Sequence, residues 1–183
     1  MNPDATVDEL MTHVKGPDFP TGGEILGRAG LTSAYRTGRG SIKLRGKAEI
    51  IEDENGRNRI VVSEVPYQTA PEVIEERAAE LVNSRELDGI RAITNSSAKG
   101  RIELVFELKR DASPMVVLNN LYKYTPLQTT FAANMVALVD GVPRTLNLRD
   151  ALVHYLDHQR EVIRRRTEFR LGRAQRRAHI VEG

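Results

Sequence analysis

Hydrophobic and polar residues alternate along the segment that follows Gly38. Side chains on a β-strand point alternately to its two faces, so this pattern predicts a strand over residues 39–52 with two unlike faces. The polar face is rich in cations and carries Arg39, Ser41, Lys43, Arg45 and Lys47. The aliphatic face carries Ile42, Leu44, Ala48 and Ile50. The aliphatic face is suited to a protein core and the cationic face to a polyanion such as DNA or RNA, the alternative being a solvated strand.

Turn and helix signals surround this strand on both sides. A short helix is predicted over 4–13, a loop over the glycine- and proline-rich residues 16–23, and a further helical turn over 31–37 that ends at Gly38. After the strand, Asn55-Gly56 supplies the residue types of a tight hairpin turn into a second strand over 59–65.

The middle of the chain alternates between helices and strands. Pro71 opens a predicted helix to Ser84, whose apolar positions recur at helical spacing: Val73, Ile74, Ala78, Leu81 and Val82. Strands are predicted over 90–95 and 101–108, joined by residues 96–100, and a helix over 113–122 with Ser113 as its N-cap. A last hairpin is predicted from strands over 129–139 and 142–146, around Asp140-Gly141.

From Leu148 the pattern becomes that of one long helix. Apolar residues recur every seven positions at Leu148, Tyr155, Val162 and Phe169. Such a stripe packs against a second helix, and none follows before Gly183, so we expect a piece of a longer protein whose stripe is partly unburied unless another copy covers it. The predicted fold class is α+β: a mixed or antiparallel sheet with packed helices, followed by one long helix.

Charge is distributed unevenly along the 183 residues. Residues 1–147 hold 18 Lys and Arg against 20 Asp and Glu, whereas 148–183 hold 9 Arg against 5 acidic residues, for a net charge of +2. The basic tail favours an acidic partner, and the alternative is a solvated helix with internal ion pairs. The chain has no cysteine, no apolar run of transmembrane length and no signal-peptide pattern, so we expect a cytoplasmic protein without membrane contact.

Motifs of enzyme chemistry are weak in this chain. His154 and His158 lie four residues apart but lack the glutamate and third ligand of a zinc site. The segment GGEILG over 22–27 lacks the lysine and hydroxyl residues of a phosphate-binding loop. We therefore expect neither a metal site nor a cofactor site nor a catalytic residue in this chain.

Longer stretches allow a family comparison. The sequence resembles the A subunit of bacterial DNA gyrase over nearly its whole length, with the A subunit of topoisomerase IV as the near relative. The stretches that carry the resemblance are GPDFPTGG (16–23), AYRTGRGSIKLRGKAEI (34–50), SEVPYQ (63–68), the segment 107–150 that includes NNLYKYTPLQTTFAANMVALVDG, and RRRTEFRLGRAQRRAHIVEG (164–183). The resemblance implies a tower domain over 16–147, a linker to a missing winged-helix domain over 1–15, and the start of a long coiled coil over 148–183.

The resemblance also implies a function. Gyrase is an ATP-dependent type IIA topoisomerase that supercoils DNA negatively by passing one duplex through a double-strand break, and its tower holds an arm of the cleaved duplex. The implied partners are double-stranded DNA, the gyrase B subunit and a second copy of the A subunit, with ATP and Mg²⁺ on the B subunit. The family's catalytic tyrosine lies in a motif like AAMRYTE, which this sequence lacks, so the piece alone is expected to be inactive.

Within that frame, the cationic strand is the candidate DNA-binding site. We expect Arg39, Lys43, Arg45 and Lys47, with Arg36 nearby, to bind duplex phosphates without reading bases. Other readings are a scaffold module whose cationic strand is solvated, and an independent small RNA-binding protein.

Overall fold

The computed structural model describes residues 4–53, 56–98 and 100–182, with the backbone only for Glu182. The helices that it shows are α1 (Val7–His13), α2 (Ala29–Thr37), α3 (Pro71–Asn83), α4 (Pro114–Tyr124) and α5 (Leu148–Glu182). The strands are β1 (Glu24–Leu26), β2 (Arg39–Arg45), β3 (Lys47–Glu52), β4 (Asn58–Glu64), β5 (Ile90–Asn95), β6 (Leu104–Leu108), β7 (Gln128–Asn134), β8 (Val136–Val139) and β9 (Val142–Thr145). All their pairings are antiparallel, which confirms the α+β class and the long final helix.

A three-stranded sheet has the order β1-β2-β7, and among the described residues α1, α2 and the start of α5 pack on one of its faces. Ile42 and Leu44 of β2 are buried there in a cluster whose other buried members are Leu31, Ala34, Tyr35 and Leu148. A Cβ on Gly40 would stand 2.2 Å from the carbonyl oxygen of Gly30, which shows that helix α2 lies very close to the sheet. Glycine at this position therefore allows α2 to cover the aliphatic face that the sequence predicted.

A second, four-stranded sheet has the order β3-β4-β6-β5 and packs on helices α3 and α4. The fully buried residues at its centre include Ile60, Ile74, Leu104, Phe106 and Leu121. Because the whole of this core falls within residues 60–127, the four-stranded sheet and its helices form a unit with a hydrophobic centre of their own. We call residues 47–124 the inserted unit.

The inserted unit interrupts the first sheet between two paired strands. Strand β2 leads into it and β7 follows it, yet β2 and β7 are neighbours from Arg39↔Asn134 to Arg45↔Gln128. The chain passes through a narrow crossing that we call the neck, formed by Gly46 and residues 125–127. Here the Gly46 amide donates to the Leu127 carbonyl over 2.8 Å, which closes the base of the unit.

The prediction of one continuous strand over 39–52 is wrong. The strand ends at Arg45, and β3 begins at Lys47 in the other sheet. Gly46 sits at the change, where a Cβ would stand 2.6 Å from Leu127 Cδ1 and 2.7 Å from the Glu64 carbonyl oxygen. The alternating pattern runs across both strands although only β2 is half-buried, and so it carries no sign that the partner strand changes. In β3 five of the six residues are exposed, and Ile50 of the predicted aliphatic face is 36% exposed.

Other predictions differ in detail. Strand β7 pairs with β2, so only β8 and β9 form the hairpin around Asp140-Gly141, where both residues have positive φ. Val73 is 50% exposed and does not join the core face of α3. Ser113 holds the N-cap position of α4 but makes no side-chain cap hydrogen bond. The β3–β4 hairpin is confirmed by its register, while Asn55 of its predicted turn and Lys99 of the 96–100 connection lie outside the described residues.

Within the described part of the chain, helix α5 packs on the rest of the protein at its beginning. Leu148 is buried and Leu152 packs on the same cluster, whereas Tyr155 is 58% and Phe169 66% exposed. The prediction that the seven-residue stripe is partly unburied is thus confirmed. Ion pairs within the helix join Arg160 to Asp157, Arg164 to Glu161 and Glu168, and Arg165 to Glu161. None of the helices described is both long and apolar enough to cross a membrane.

Candidate nucleic-acid interface

The face of the three-stranded sheet opposite α2 is open and polar. Arg39, Ser41 and Lys43 are exposed along β2, as the alternation predicted. Across β7, the exposed residues opposite them are Asn134, Ala132 and Thr130. We call this surface the free face, defined by these six residues. The β7 side chains were not singled out from sequence, since their role as neighbours of the cations follows only from the pairing of strands about 90 residues apart.

The free face combines separated cations with small, uncharged side chains. Arg39 and Lys43 are four residues apart, or ~13 Å along the strand, which matches the spacing of several phosphates on one strand of a duplex. Among the described residues, no carboxylate forms an ion pair with either of them. Small residues between two available cations leave room for a phosphate backbone to lie against the sheet.

Arg36 lies apart from this surface. It belongs to α2, on the helical side of the sheet, and its guanidinium forms a bidentate ion pair with Asp8, with Nη2 2.7 Å from Oδ2 and 2.9 Å from Oδ1. Helix α1, which carries Asp8, begins with a capping box in which Thr6 and Glu9 bond each other's backbone amides. Arg36 is therefore neutralised by a partner on a well-formed helix, and the structure does not bring it together with Arg39 and Lys43.

Arg45 points to the same side as Lys43 but is held by its neighbours. Its guanidinium carbon lies 4.2 Å from the centre of the Tyr122 ring, within the range of a cation–π contact. Its Nε and Nη2 both donate to Gln128 Oε1, over 3.0 and 2.7 Å. Arg45 is half-buried as a result, and sequence inspection missed both Tyr122 and Gln128 as its partners.

Lys47 is exposed but lies beyond the neck, at the start of β3. Its partner across the strands is Glu64, whose carboxylate accepts a hydrogen bond from the Gly23 amide. The next exposed residue on β3 is Glu49, so the run of cations ends here. The five predicted residues are thus divided: two on the free face, one at the neck, one on the inserted unit and one on the helical side.

Burial shifts two tyrosine hydroxyls near this region. Burial raises the pKa of Tyr122, with the Arg45 charge opposing that rise. Burial also raises the pKa of Tyr35, and the nearby Asp18 carboxylate adds to the effect. Both hydroxyls therefore remain protonated near neutral pH, and that of Tyr122 donates to the Gly46 carbonyl over 3.3 Å. Within the described ranges, no three histidine, aspartate or glutamate side chains cluster closely enough to hold a metal ion.

Comparison with known proteins places this arrangement in a family. The family model for the A subunit of DNA gyrase and topoisomerase IV matches residues 1–183. The chain is 51% identical over 183 residues to the DNA gyrase A subunit of Staphylococcus epidermidis and 54% identical over 182 residues to that of Halalkalibacterium halodurans. The DNA gyrase A subunit of Staphylococcus aureus is also 51% identical over 183 residues.

These alignments cover 100% of this chain but only 20%, 22% and 21% of the three relatives, in that order. The chain therefore spans about a fifth of the length of the proteins it matches. Both the family match over every residue and the identity above 50% lead to one conclusion: the chain belongs to the family of DNA gyrase and topoisomerase IV A subunits.

Proposed function

We propose that this chain is the tower and the first part of the coiled coil of a DNA gyrase A subunit, and that its free face holds duplex DNA by its phosphates. The observation that carries the proposal is the pair Arg39 and Lys43, exposed and without ion-pair partners among the described residues, on a sheet face with no helix over it. Contacts of this kind position a duplex without selecting its sequence.

The whole protein, on this proposal, is an ATP-dependent type II topoisomerase. Its further partners are the B subunit, which carries ATP and Mg²⁺, and a second copy of the A subunit, with the exposed stripe of α5 available for helix packing. The names of the relatives favour gyrase over topoisomerase IV. The present chain supplies duplex binding and support to that assembly, and strand cleavage belongs to a part of the protein that lies outside it.

A charge-reversal pair tests the role of the free face. We expect the Arg39→Glu/Lys43→Glu variant to lose most affinity for a labelled duplex at low salt, because two phosphate contacts become repulsive. The matched control is Arg85→Glu/Arg110→Glu, which makes the same change in charge at two exposed positions on the end of the inserted unit far from the neck. Equal losses in both variants would show only a response to net charge and would contradict the proposal.

Single-stranded DNA and duplex RNA of the same length separate the remaining readings. A free face that fits a duplex backbone binds double-stranded DNA more tightly than the single strand. Preferential binding of RNA would favour the small RNA-binding reading, and wild-type protein that binds none of them would favour a scaffold.

A further inference from the structure

We infer that Arg45 is a positioning residue that fixes the inserted unit against the three-stranded sheet and is not itself a phosphate ligand. This inference rests on the proposed function only where it concerns DNA affinity. Its structural part depends only on the contacts at the neck. Arg45 thus has a different role from Lys43, although the two residues share a strand and a side of the sheet.

The contacts of Arg45 join both sides of the neck. Tyr122 comes from α4, the last helix of the inserted unit, and Gln128 is the first residue of β7 in the three-stranded sheet. Arg45 itself ends β2, the strand that leads into the unit. One guanidinium therefore connects the strand that enters the unit, the helix that ends it and the strand that follows it.

Hydrogen bonds in the neck reinforce that connection. The Tyr122 hydroxyl donates to the Gly46 carbonyl, and the Gly46 amide donates to Leu127. Thr125 is buried, its hydroxyl donating over 2.6 Å to the Leu121 carbonyl and accepting from the Leu127 amide over 3.2 Å. These hydrogen bonds hold the backbone of the neck in one arrangement. The stacked Arg45 side chain packs against it from the open face of the sheet.

A second contact holds the unit from the opposite side of the same sheet. Tyr67 of the inserted unit packs against Phe19 and Phe131, with ring centres 5.5 and 5.8 Å away. Phe131 belongs to the helical face, whereas Arg45 belongs to the open one. Two contacts on opposite faces restrain tilting in both directions, and removing the Arg45 stack leaves only one of them.

The chemistry of Arg45 suits this role better than phosphate binding. Two of its donor nitrogens are engaged by one amide oxygen, and one face of the guanidinium is covered by an aromatic ring. Lys47 lies two residues further on, across the neck. The orientation of the inserted unit therefore decides where the Lys47 ammonium stands relative to Lys43, and so whether both reach the same duplex.

A distance measurement without DNA tests the structural part. The chain has no cysteine, so Glu76→Cys on α3 and His158→Cys near the anchored start of α5 give one labelled pair for electron spin distance measurements. We expect a broader or shifted distance distribution in both Arg45→Gln and Tyr122→Leu. Tyr122→Phe keeps the ring and loses only the hydrogen bond to Gly46, so its distribution should stay closer to wild type than that of Tyr122→Leu, and Lys43→Gln should match wild type. An unchanged distribution in Arg45→Gln would overturn the inference.

Duplex binding tests the functional part. Arg45→Gln and Tyr122→Leu should weaken affinity by the same factor, about five-fold for the loss of one cation–π contact, and the double variant should be no weaker than either. Their salt slopes should be equal to each other. If Arg45→Gln alone reduced the magnitude of the log–log slope by about 0.9, Arg45 would be a phosphate ligand and the inference would fail. Wild-type protein that binds no duplex would refute the proposed function and leave the distance result intact.

Discussion

The salt dependence of duplex binding reports how many cations the protein offers to phosphates. Three of the five predicted residues, Arg39, Lys43 and Lys47, are exposed with no ion pair recorded in the described part of the chain. Each phosphate contact contributes about −0.9 to the slope of log affinity against log salt, so three give about −2.7. Affinity should then fall about 40-fold between about 50 and about 200 mM salt.

Single substitutions sharpen this count. Lys43→Gln should change the slope to about −1.8, because one phosphate contact is lost. Arg36→Gln should leave it at about −2.7, because its guanidinium is already paired with Asp8 on the other side of the sheet. Fluorescence anisotropy with a labelled duplex of about 30 base pairs, repeated at five or six salt concentrations, gives each slope.

Two results would refute this reasoning. An Arg36→Gln slope that falls as far as that of Lys43→Gln would mean that the ion pair with Asp8 opens to release a phosphate-binding arginine. A slope that is the same in Lys43→Gln and wild type would remove Lys43 from the contact surface, whatever the affinity of the wild-type protein, and with it half of the cation pair on which the proposed function depends.

Further predictions concern stability and charge. Phe106→Ala should cost about 3–5 kcal/mol in free energy of unfolding, measured with denaturant, whereas Met115→Ala, at a position 57% exposed, should be nearly neutral; similar losses would contradict the assignment of the core. Hydrogen bonds from Arg164 and the arginine after it hold the pKa of Glu161 at about 2, so this ion pair is complete above about pH 4.5 and lost as pH falls toward 2; carboxyl NMR should show that midpoint, and an Arg164→Gln variant should move it upward. A peptide of residues 46–128 should show cooperative unfolding when followed by circular dichroism, because all the buried residues of its core lie within that range; a gradual melt would show that the peptide depends on the first sheet for its stability.

Local patterns in the sequence predicted the individual elements well. The end of α2 at Gly38, the boundaries of β5 and the hairpin around Asp140-Gly141 all follow from residues within a few positions of each other. Turn chemistry and side-chain periodicity act over such distances, which is why they can be read directly. The alternation in β2 likewise placed Arg39 and Lys43 on the open side correctly.

Contacts between distant segments could not be read in the same way. Nothing near Arg36 in sequence indicates that Asp8 neutralises it, and nothing near Arg45 indicates Tyr122, which lies 77 positions away. These contacts depend on which strands become neighbours, and many sequences with the same local pattern pair differently. The cationic strand of the candidate site could therefore be predicted from the sequence, whereas the surface that it forms with distant segments could not.

The inserted unit leaves and rejoins the first sheet at points that already touch. Its exit at Arg45 and its return at Gln128 are paired residues, so the unit adds no gap that the sheet must bridge. Descendants of one ancestor can accordingly enlarge, shorten or exchange this unit without rebuilding the platform beneath it. On the proposed function, the length of duplex that the protein reaches can then vary separately from the free face that holds it.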